Sequence, residues 1–225
     1  MPCLRAGLKP QLPRVCFCCW VSACWHFPQP CLFLPEKMVK PRKIRLTAVM
    51  MATAGMVFLL AGHYIQAKAV LAQYLLQSSW QKTLDNRQIN RPWPWADTYP
   101  VARLMMERLK VDLIVLEGEQ GAVLAFGPGH LPASSLPQDG GNCVLAGHRD
   151  TSFSFLKELK VGDKLIMEDM NGKRHQYQVQ DLEVREFSGL YLQNRSGWLS
   201  LITCYPFDAV RPGTPLRYVV SAMQI

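Results

Sequence analysis

One segment limits what this chain can fold into more than any other: an uncharged, largely apolar run from Leu46 to about Ala67. Roughly 20 residues of helix, at about 1.5 Å per residue, match the ~30 Å hydrocarbon core of a bilayer. The run therefore predicts one transmembrane helix within residues 38–69. A basic cluster on its N-terminal side predicts that this end stays in the cytoplasm; it consists of Lys40, Arg42, Lys43 and Arg45.

The competing interpretation of this segment is a cleaved signal peptide, because Ala67-Lys68-Ala69 has the small-x-small pattern of a cleavage site. The apolar run is longer than a usual signal core, and helical spacing continues beyond that pattern into Val70 and Leu71. We therefore favour an uncleaved anchor. A juxtamembrane helix and linker are expected over residues 70–95, and an exported domain over residues 96–225.

The positive charge of the chain is concentrated near its N-terminus. Eight of the 25 basic and one of the 17 acidic residues lie in the segment 1–45, so the segment 46–225 carries 17 basic and 16 acidic side chains. A nearly neutral body lacks the basic surface that binding to a phosphate backbone requires. We therefore expect no nucleic-acid partner.

Six of the eight cysteines lie between Cys3 and Cys31. This distribution excludes a secreted scaffold whose disulfides are spread through the fold. In that stretch no C-x2-C pair meets a second pair at zinc-finger spacing, and no secondary-structure periodicity persists. We interpret residues 1–37 as a non-functional extension with translation starting at Met38, and we expect neither a metal nor a cofactor.

From residue 111 onward the chain contains short β-rich runs separated by turn formers, and Asn171-Gly172 between two of them is typical of a hairpin. The runs are Val111–Leu116, Ala122–Phe126, Asn142–Ala146, Lys164–Met167, His175–Val179, Leu182–Phe187, Leu199–Thr203 and Leu216–Ser221. They predict a mainly β domain, an eight-stranded barrel with short helices. Before them, the spacing of Ala96–Leu109 predicts a helix, and the aromatic residues of Trp93–Asp97 are expected to be interfacial or packing groups.

Three residues at the ends of predicted strands suggest chemistry at the rim of the barrel. His148 follows one strand, Cys204 ends another and Arg217 begins the last. Each alone is more often structural. Together, a thiol that attacks an amide, a histidine that exchanges the proton and a guanidinium that stabilises an oxyanion are a minimal set for acyl transfer.

This ordered set of motifs resembles the sortases, which are membrane-anchored cysteine transpeptidases. The resemblance is carried by Gly147-His148-Arg149, Leu201-Ile202-Thr203-Cys204 and Arg217, with Gly127-Pro128-Gly129-His130 and Gly141-Asn142 in support. The anchor and the segment Trp93–Asp97 are similar to the proteobacterial branch, also called the marine proteobacterial or GN type.

The resemblance implies a sortase-type barrel in which Cys204 forms a thioester with a sorting signal such as Leu-Pro-x-Thr-Gly. His148 would exchange protons with the leaving and incoming amines, and Arg217 would hold the oxyanion, with Arg211 as the alternative arginine. The expected substrate contacts are Thr203, Asp208 and His130.

The resemblance also implies the partners and the location. The partners are an exported protein with a C-terminal sorting signal and an unidentified amine acceptor. The anchor would lie in the inner membrane with the catalytic domain on the periplasmic side. A hydrolase of the same fold and a catalytically silent, membrane-anchored peptide-binding barrel stay open as alternatives.

Two neighbouring residues of the predicted site have more than one interpretation. Cys143 is expected in the core, although a bridge to Cys204 would silence a thiol enzyme. Asp150 could orient His148, or it could simply pair with Arg149 at the surface.

Overall fold

The computed structural model describes residues 41–189, 195–211 and 213–225. The predicted extension over residues 1–37 and the proposed start at Met38 lie outside the described residues. By its internal contacts the chain divides into two units, Met1–Met51 and Ala52–Ile225. The described part of the first unit, residues 41–51, is helical.

The long helix α1 runs from Pro41 to Asn86. Among the described residues it is the one helix that is long and apolar enough to cross a membrane. Large hydrophobic side chains from Ile44 to Leu71 are exposed along it, as a lipid-facing helix requires. The predicted anchor and the predicted juxtamembrane helix are thus one continuous element.

Within the described residues, eight strands form a closed barrel, which confirms the predicted fold class. They are β1 (Pro100–Met106), β2 (Val111–Glu117), β3 (Gly129–His130), β4 (Asn142–Ala146), β5 (Lys164–Asp169), β6 (Arg174–Glu186), β7 (Trp198–Tyr205) and β8 (Leu216–Gln224). Their order around the barrel is β1-β2-β3-β4-β7-β8-β6-β5. The pairs β2–β3 and β4–β7 are parallel, and the other pairs are antiparallel. The remaining helical elements are α2 (Gly121–Leu124) and the 3₁₀ helices Pro137–Asp139, Ser154–Glu158 and Phe187–Gly189.

The barrel interior is filled by every second side chain of the central strands. Cys143 and Leu145 of β4, Leu199 and Leu201 of β7 and Val220 of β8 belong to one buried cluster. Because successive side chains of a strand point to opposite faces, the residues between them lie on the outer face of the barrel. Burial of this apolar surface stabilises the fold by about 25 cal/mol per Å².

The C-terminal part of α1 packs on the domain through a second buried cluster. Leu76 contacts Leu116 at the end of β2 and Val123 of α2. Trp80, one turn further along, is also buried. The end of the helix is therefore part of the folded domain.

Two predicted elements before and after β2 are wrong. Residues Ala96–Leu109 contain strand β1 and no helix. The buried positions Ala102, Leu104 and Met106 alternate, but the apolar Val101 and Met105 on the other positions hid the period of two. Residues Ala122–Phe126 hold the single turn α2 instead of a strand. The strand next to β4 on that side is β3, which has only two residues and was not among the predicted strands.

Two further predictions concern the second half of the barrel. The hairpin at Asn171-Gly172 joins β5 to β6, with Gly172 at a φ of 78°. The runs His175–Val179 and Leu182–Phe187, predicted as two strands, belong largely to the single strand β6. A bulge between Val179 and Asp181 explains the apparent break, because the extra residue shifts the alternation by one position.

Candidate active site

The parallel pairing of β4 with β7 determines where His148 lies relative to Cys204. The register runs from Asn142 opposite Trp198 to Ala146 opposite Ile202, with the same offset at every step. The pairing continues past β4, because the Gly147 amide donates to the Ile202 carbonyl at 3.1 Å. Continued at the same offset, the register sets His148 level with Cys204.

The antiparallel pairing of β7 with β8 places Arg217 directly opposite Cys204. Directly opposed residues of such a pair share one face of the sheet. In β7 the side chains of Leu201 and Thr203 face inward. Cys204 follows Thr203 and therefore faces outward, so the face that it shares with Arg217 is the outer one. The thiol and Arg217 are partly exposed there, and His148 is exposed.

The guanidinium of Arg217 is held close to its own backbone and to one aromatic ring. Its Nη1 donates to the carbonyl of Thr214 at 2.6 Å and to that of Leu216 at 2.9 Å. Its Cζ lies 4.6 Å from the ring centroid of Phe187, a cation–π contact. The permanent charge is thus fixed at the start of β8. Arg211, the alternative arginine, lies exposed in the loop between β7 and β8.

The second cysteine of the domain lies inside the barrel. Cys143 is 1% exposed, and burial, assisted by the charges of Asp139 and Glu117, raises the pKa of its thiol to about 12. Both Cys143 and Cys204 are free. Because Cys143 faces the core and Cys204 the outer surface, the structure contains a buried inert thiol and an accessible one.

Two of the expected substrate contacts lie away from the outer face. His130 is 3% exposed; its Nδ1 lies 2.9 Å from Glu117 Oε2 and its Nε2 3.1 Å from Ser134 Oγ. It pairs with the inward-facing Leu145, so it belongs to the inner face of the sheet. Thr203 is also buried, and its hydroxyl donates to the Gly147 carbonyl at 2.7 Å.

The third expected contact, Asp208, is exposed in the turn that follows Cys204. The Tyr205–Pro206 peptide bond that leads into this turn is cis. Asp208 is therefore on the accessible side of the loop, whereas Thr203 ties the end of β4 to β7. The register sets Arg217 opposite Cys204 and, continued past Ala146, His148 level with Cys204, whereas His130 on the inner face lies outside this group.

One residue near the site has a place that the sequence did not indicate. A surface pair with Asp150 was one of the two interpretations of these neighbours, and the Arg149 Nε does lie 3.5 Å from the Asp150 carboxylate. Nevertheless its side chain is only 7% exposed, and its terminal nitrogens donate to backbone carbonyls of the β7–β8 loop. Only the long-range pairing of β4 with β7 reveals this arrangement.

The family model described as the sortase domain matches residues 104–225, which is more than half of the chain and includes nearly the whole barrel. The chain belongs to the sortase family. The resemblance stated from the motifs is thereby confirmed at the level of the family, while the proteobacterial branch stays a prediction.

Relatives of known identity agree with this assignment. The chain is 32% identical over 125 residues to sortase D of Bacillus subtilis (strain 168), an alignment that covers 54% of this chain and 62% of that protein. The match thus spans less than two thirds of the relative's length.

Two solved sortase structures are similar in fold. A sortase D5 transpeptidase of Clostridium perfringens superposes with a TM-score of 0.56 at 21% identity, covering 69% of this chain and 99% of that one. At this identity the likeness concerns the fold alone. Sortase C-1 of Actinomyces oris gives a TM-score of 0.51 at 27% identity over 66% of this chain and 82% of that one.

Proposed function

We propose that this sortase is a cysteine transpeptidase in which Cys204 is the nucleophile, His148 the proton carrier and Arg217 the oxyanion-binding group. The observation that carries the proposal is the register around β7: Arg217 of β8 lies opposite Cys204, and the β4–β7 register, continued two residues past Ala146, sets His148 level with Cys204. The exposure of the three side chains on one face supports it. Arg217 is preferred to Arg211 because a strand position fixes a guanidinium better than an exposed loop.

The proposed reaction has two acyl-transfer steps. In the first, the Cys204 thiolate attacks the carbonyl carbon before the scissile bond, and the C–N bond breaks as His148 gives its proton to the leaving amine. Arg217 stabilises the oxyanion of the tetrahedral intermediate electrostatically. In the second, an incoming amine attacks the Cys204 thioester, His148 takes up the proton of that amine, and the thiolate is restored.

The proposed substrate is an exported protein with a C-terminal sorting signal of the Leu-Pro-x-Thr-Gly type, and the acceptor is an amine. Asp208, exposed in the turn after Cys204, is the proposed substrate contact within the loop. Thr203 and His130 are buried, so we assign them no contact with the peptide.

The proposed location is the inner membrane, crossed once by α1. The basic cluster before Leu46 supports a cytoplasmic N-terminus, and the catalytic domain would then lie on the periplasmic side. Placed so, the outer face of the barrel meets proteins that have already been exported. The segment Trp93–Asp97 supports the proteobacterial branch.

The test is intact-mass measurement of the full chain in detergent after mixing with Leu-Pro-x-Thr-Gly peptides. Wild type and Cys143→Ala are expected to gain the mass of the acyl peptide, and Cys204→Ala is expected to gain none. Cys143→Ala is the matched control, because it removes the buried thiol of the same domain.

Added amines then separate the alternatives. Release of a peptide–amine product supports transfer, whereas release of the free acid alone identifies a hydrolase. Peptide binding without any adduct, together with a Cys204 that resists thiol reagents, would identify a silent binding barrel.

A further inference from the structure

The guanidinium of Arg149 is a buried charge that faces one loop. Its Nη1 donates to the Pro206 carbonyl at 2.9 Å, and its Nη2 donates to the carbonyls of Ala209 at 2.5 Å and Arg211 at 3.2 Å. A buried charge is tolerated only when its hydrogen-bonding groups are satisfied. Here the acceptors are backbone oxygens, so the contact depends on the position of the loop and not on its side chains.

The loop that Arg149 holds connects the two strands of the candidate site. It follows Cys204 at the end of β7 and leads to Arg217 at the start of β8. Between Pro206 and Arg211 the backbone is irregular, and the hydrogen bond from the Ala209 amide to the Pro206 carbonyl is long, at 3.4 Å. The contacts of Arg149 with three carbonyls are therefore a major restraint on the described part of this loop.

Arg149 also links this loop to the candidate proton carrier. It is the residue next to His148, and its side chain is buried whereas that of His148 is exposed. The guanidinium fork can reach several carbonyls at once because its donors are planar and fixed, which a lysine ammonium on a flexible stem does not offer. The turn with His148 and the loop after Cys204 are thus joined by one side chain.

We propose that Arg149 is a positioning residue that holds residues 206–211, the stretch after Cys204, in the place that a peptide bound at Cys204 requires. The inference rests on the proposed function, since it takes Cys204 as the site where the peptide reacts. Loss of Arg149 would loosen this stretch, so peptide substrates would bind less well. The thiol itself would keep its reactivity toward small reagents, which do not depend on the position of the loop.

The first experiment measures the restraint without any substrate. Hydrogen–deuterium exchange of the full chain in detergent is followed by mass spectrometry for residues 205–216 in wild type and Arg149→Gln. Arg174→Gln is the matched control, because it removes an exposed arginine that pairs with Glu168 away from the site. We expect exchange in this segment to be at least about tenfold faster in Arg149→Gln alone, and unchanged exchange would overturn the proposal.

The second experiment separates binding from thiol chemistry. For Arg149→Gln we expect KM for the sorting peptide to rise at least about tenfold, while the alkylation rate of Cys204 by iodoacetamide stays within about twofold of wild type. A merely structural role would instead lower the fraction of active protein and leave KM unchanged. Unchanged KM, or alkylation that slows as much as peptide turnover, would each overturn the proposal.

Arg149→Lys keeps the experiment decisive if the glutamine variant does not fold. Lysine retains the charge but not the fork, so we expect KM and exchange between those of wild type and Arg149→Gln; full wild-type behaviour would overturn the role of the fork. If wild type turns over no peptide while exchange still accelerates in the variants, the restraint by Arg149 stands and the transpeptidase proposal fails.

Discussion

Replacing Thr203 by Val tests whether one buried hydrogen bond positions the histidine of the site. The Thr203 hydroxyl donates to the Gly147 carbonyl at 2.7 Å, and Gly147 is the residue before His148. Valine has nearly the same shape, so no cavity forms, and the main effect is a buried carbonyl without its partner. Such an unpaired buried group lowers the free energy of unfolding by about 1–3 kcal/mol. For a domain of this size, roughly 4 °C of melting temperature corresponds to each kcal/mol, so we expect Tm to fall by about 4–12 °C.

Thr98→Val is the matched control for this substitution. Thr98 is also buried, and its hydroxyl donates to the Glu117 carbonyl at 2.7 Å, away from Cys204. We expect the two variants to lose similar stability. Because a small misplacement of a reacting group lowers the rate strongly, we expect only Thr203→Val to lose acylation rate per folded molecule, by about tenfold.

The assays are thermal unfolding by circular dichroism and the rate of thioester formation by intact mass, corrected for the folded fraction. An unchanged Tm in Thr203→Val would refute the energetic part of the argument. Equal acylation rates for the folded Thr203→Val and Thr98→Val proteins would refute the positioning part.

Three further predictions test the packing and electrostatics of the domain. Leu76→Ala removes a buried contact with Leu116 and Val123, so it should lower the free energy of unfolding, measured with denaturant, by about 2–5 kcal/mol. Leu71→Ala, at an exposed position of the same helix, should lower it little. Equal losses would contradict the docking of α1. Gly147→Ala would place its Cβ 2.8 Å from ring atoms of the fully buried Phe153, so it should lower the free energy of unfolding by about 1–3 kcal/mol. An unchanged Tm would contradict this and show that the ring moves freely. The hydrogen bond from Arg103 holds the pKa of Asp112 below its usual range, so this carboxylate stabilises the fold above the unfolded pKa of about 3.9, and the contribution is lost as pH falls from that value through the lower pKa of the folded state. Wild type should exceed Asp112→Asn in Tm at pH 6, and the gap should narrow as pH falls below about 3.9. A constant gap would contradict this reasoning.

The parts of the fold that local pattern determines could be predicted from the sequence. Strand β4 was predicted with its observed bounds, Asn142–Ala146, because a continuous apolar run ends at glycines on both sides. The hairpin at Asn171-Gly172 was also predicted, because a tight turn depends on residues next to each other. The candidate residues Cys204 and His148 were found by residue type and by their position at strand ends.

The parts that long-range pairing determines could not be predicted. Strand β3 is only two residues long and exists because it lies between β2 and β4. The docking of Leu76 on Leu116 and Val123 joins segments that are far apart in the sequence, so no local period reveals it. The burial of His130 has the same origin, since its partner Glu117 lies at the end of another strand.

The alternation of exposure past the end of β4 explains why Arg149 looked like a surface residue. Gly147 and Arg149 are buried, and His148 and Asp150 are exposed, so the chain keeps a strand-like period after β4 has ended. An arginine is rarely buried unless it is paired, and nothing adjacent in the sequence offers enough partners. Its carbonyl partners lie much further along the chain, in the loop after Cys204. The register of β4 on β7, continued past Ala146, sets His148 level with Cys204, and at the same offset it sets Arg149 level with the residue before that loop. A shift of this register by one residue would therefore remove the histidine from the thiol and expose the arginine together, so the stability of the loop and the chemistry of the site depend on the same pairing.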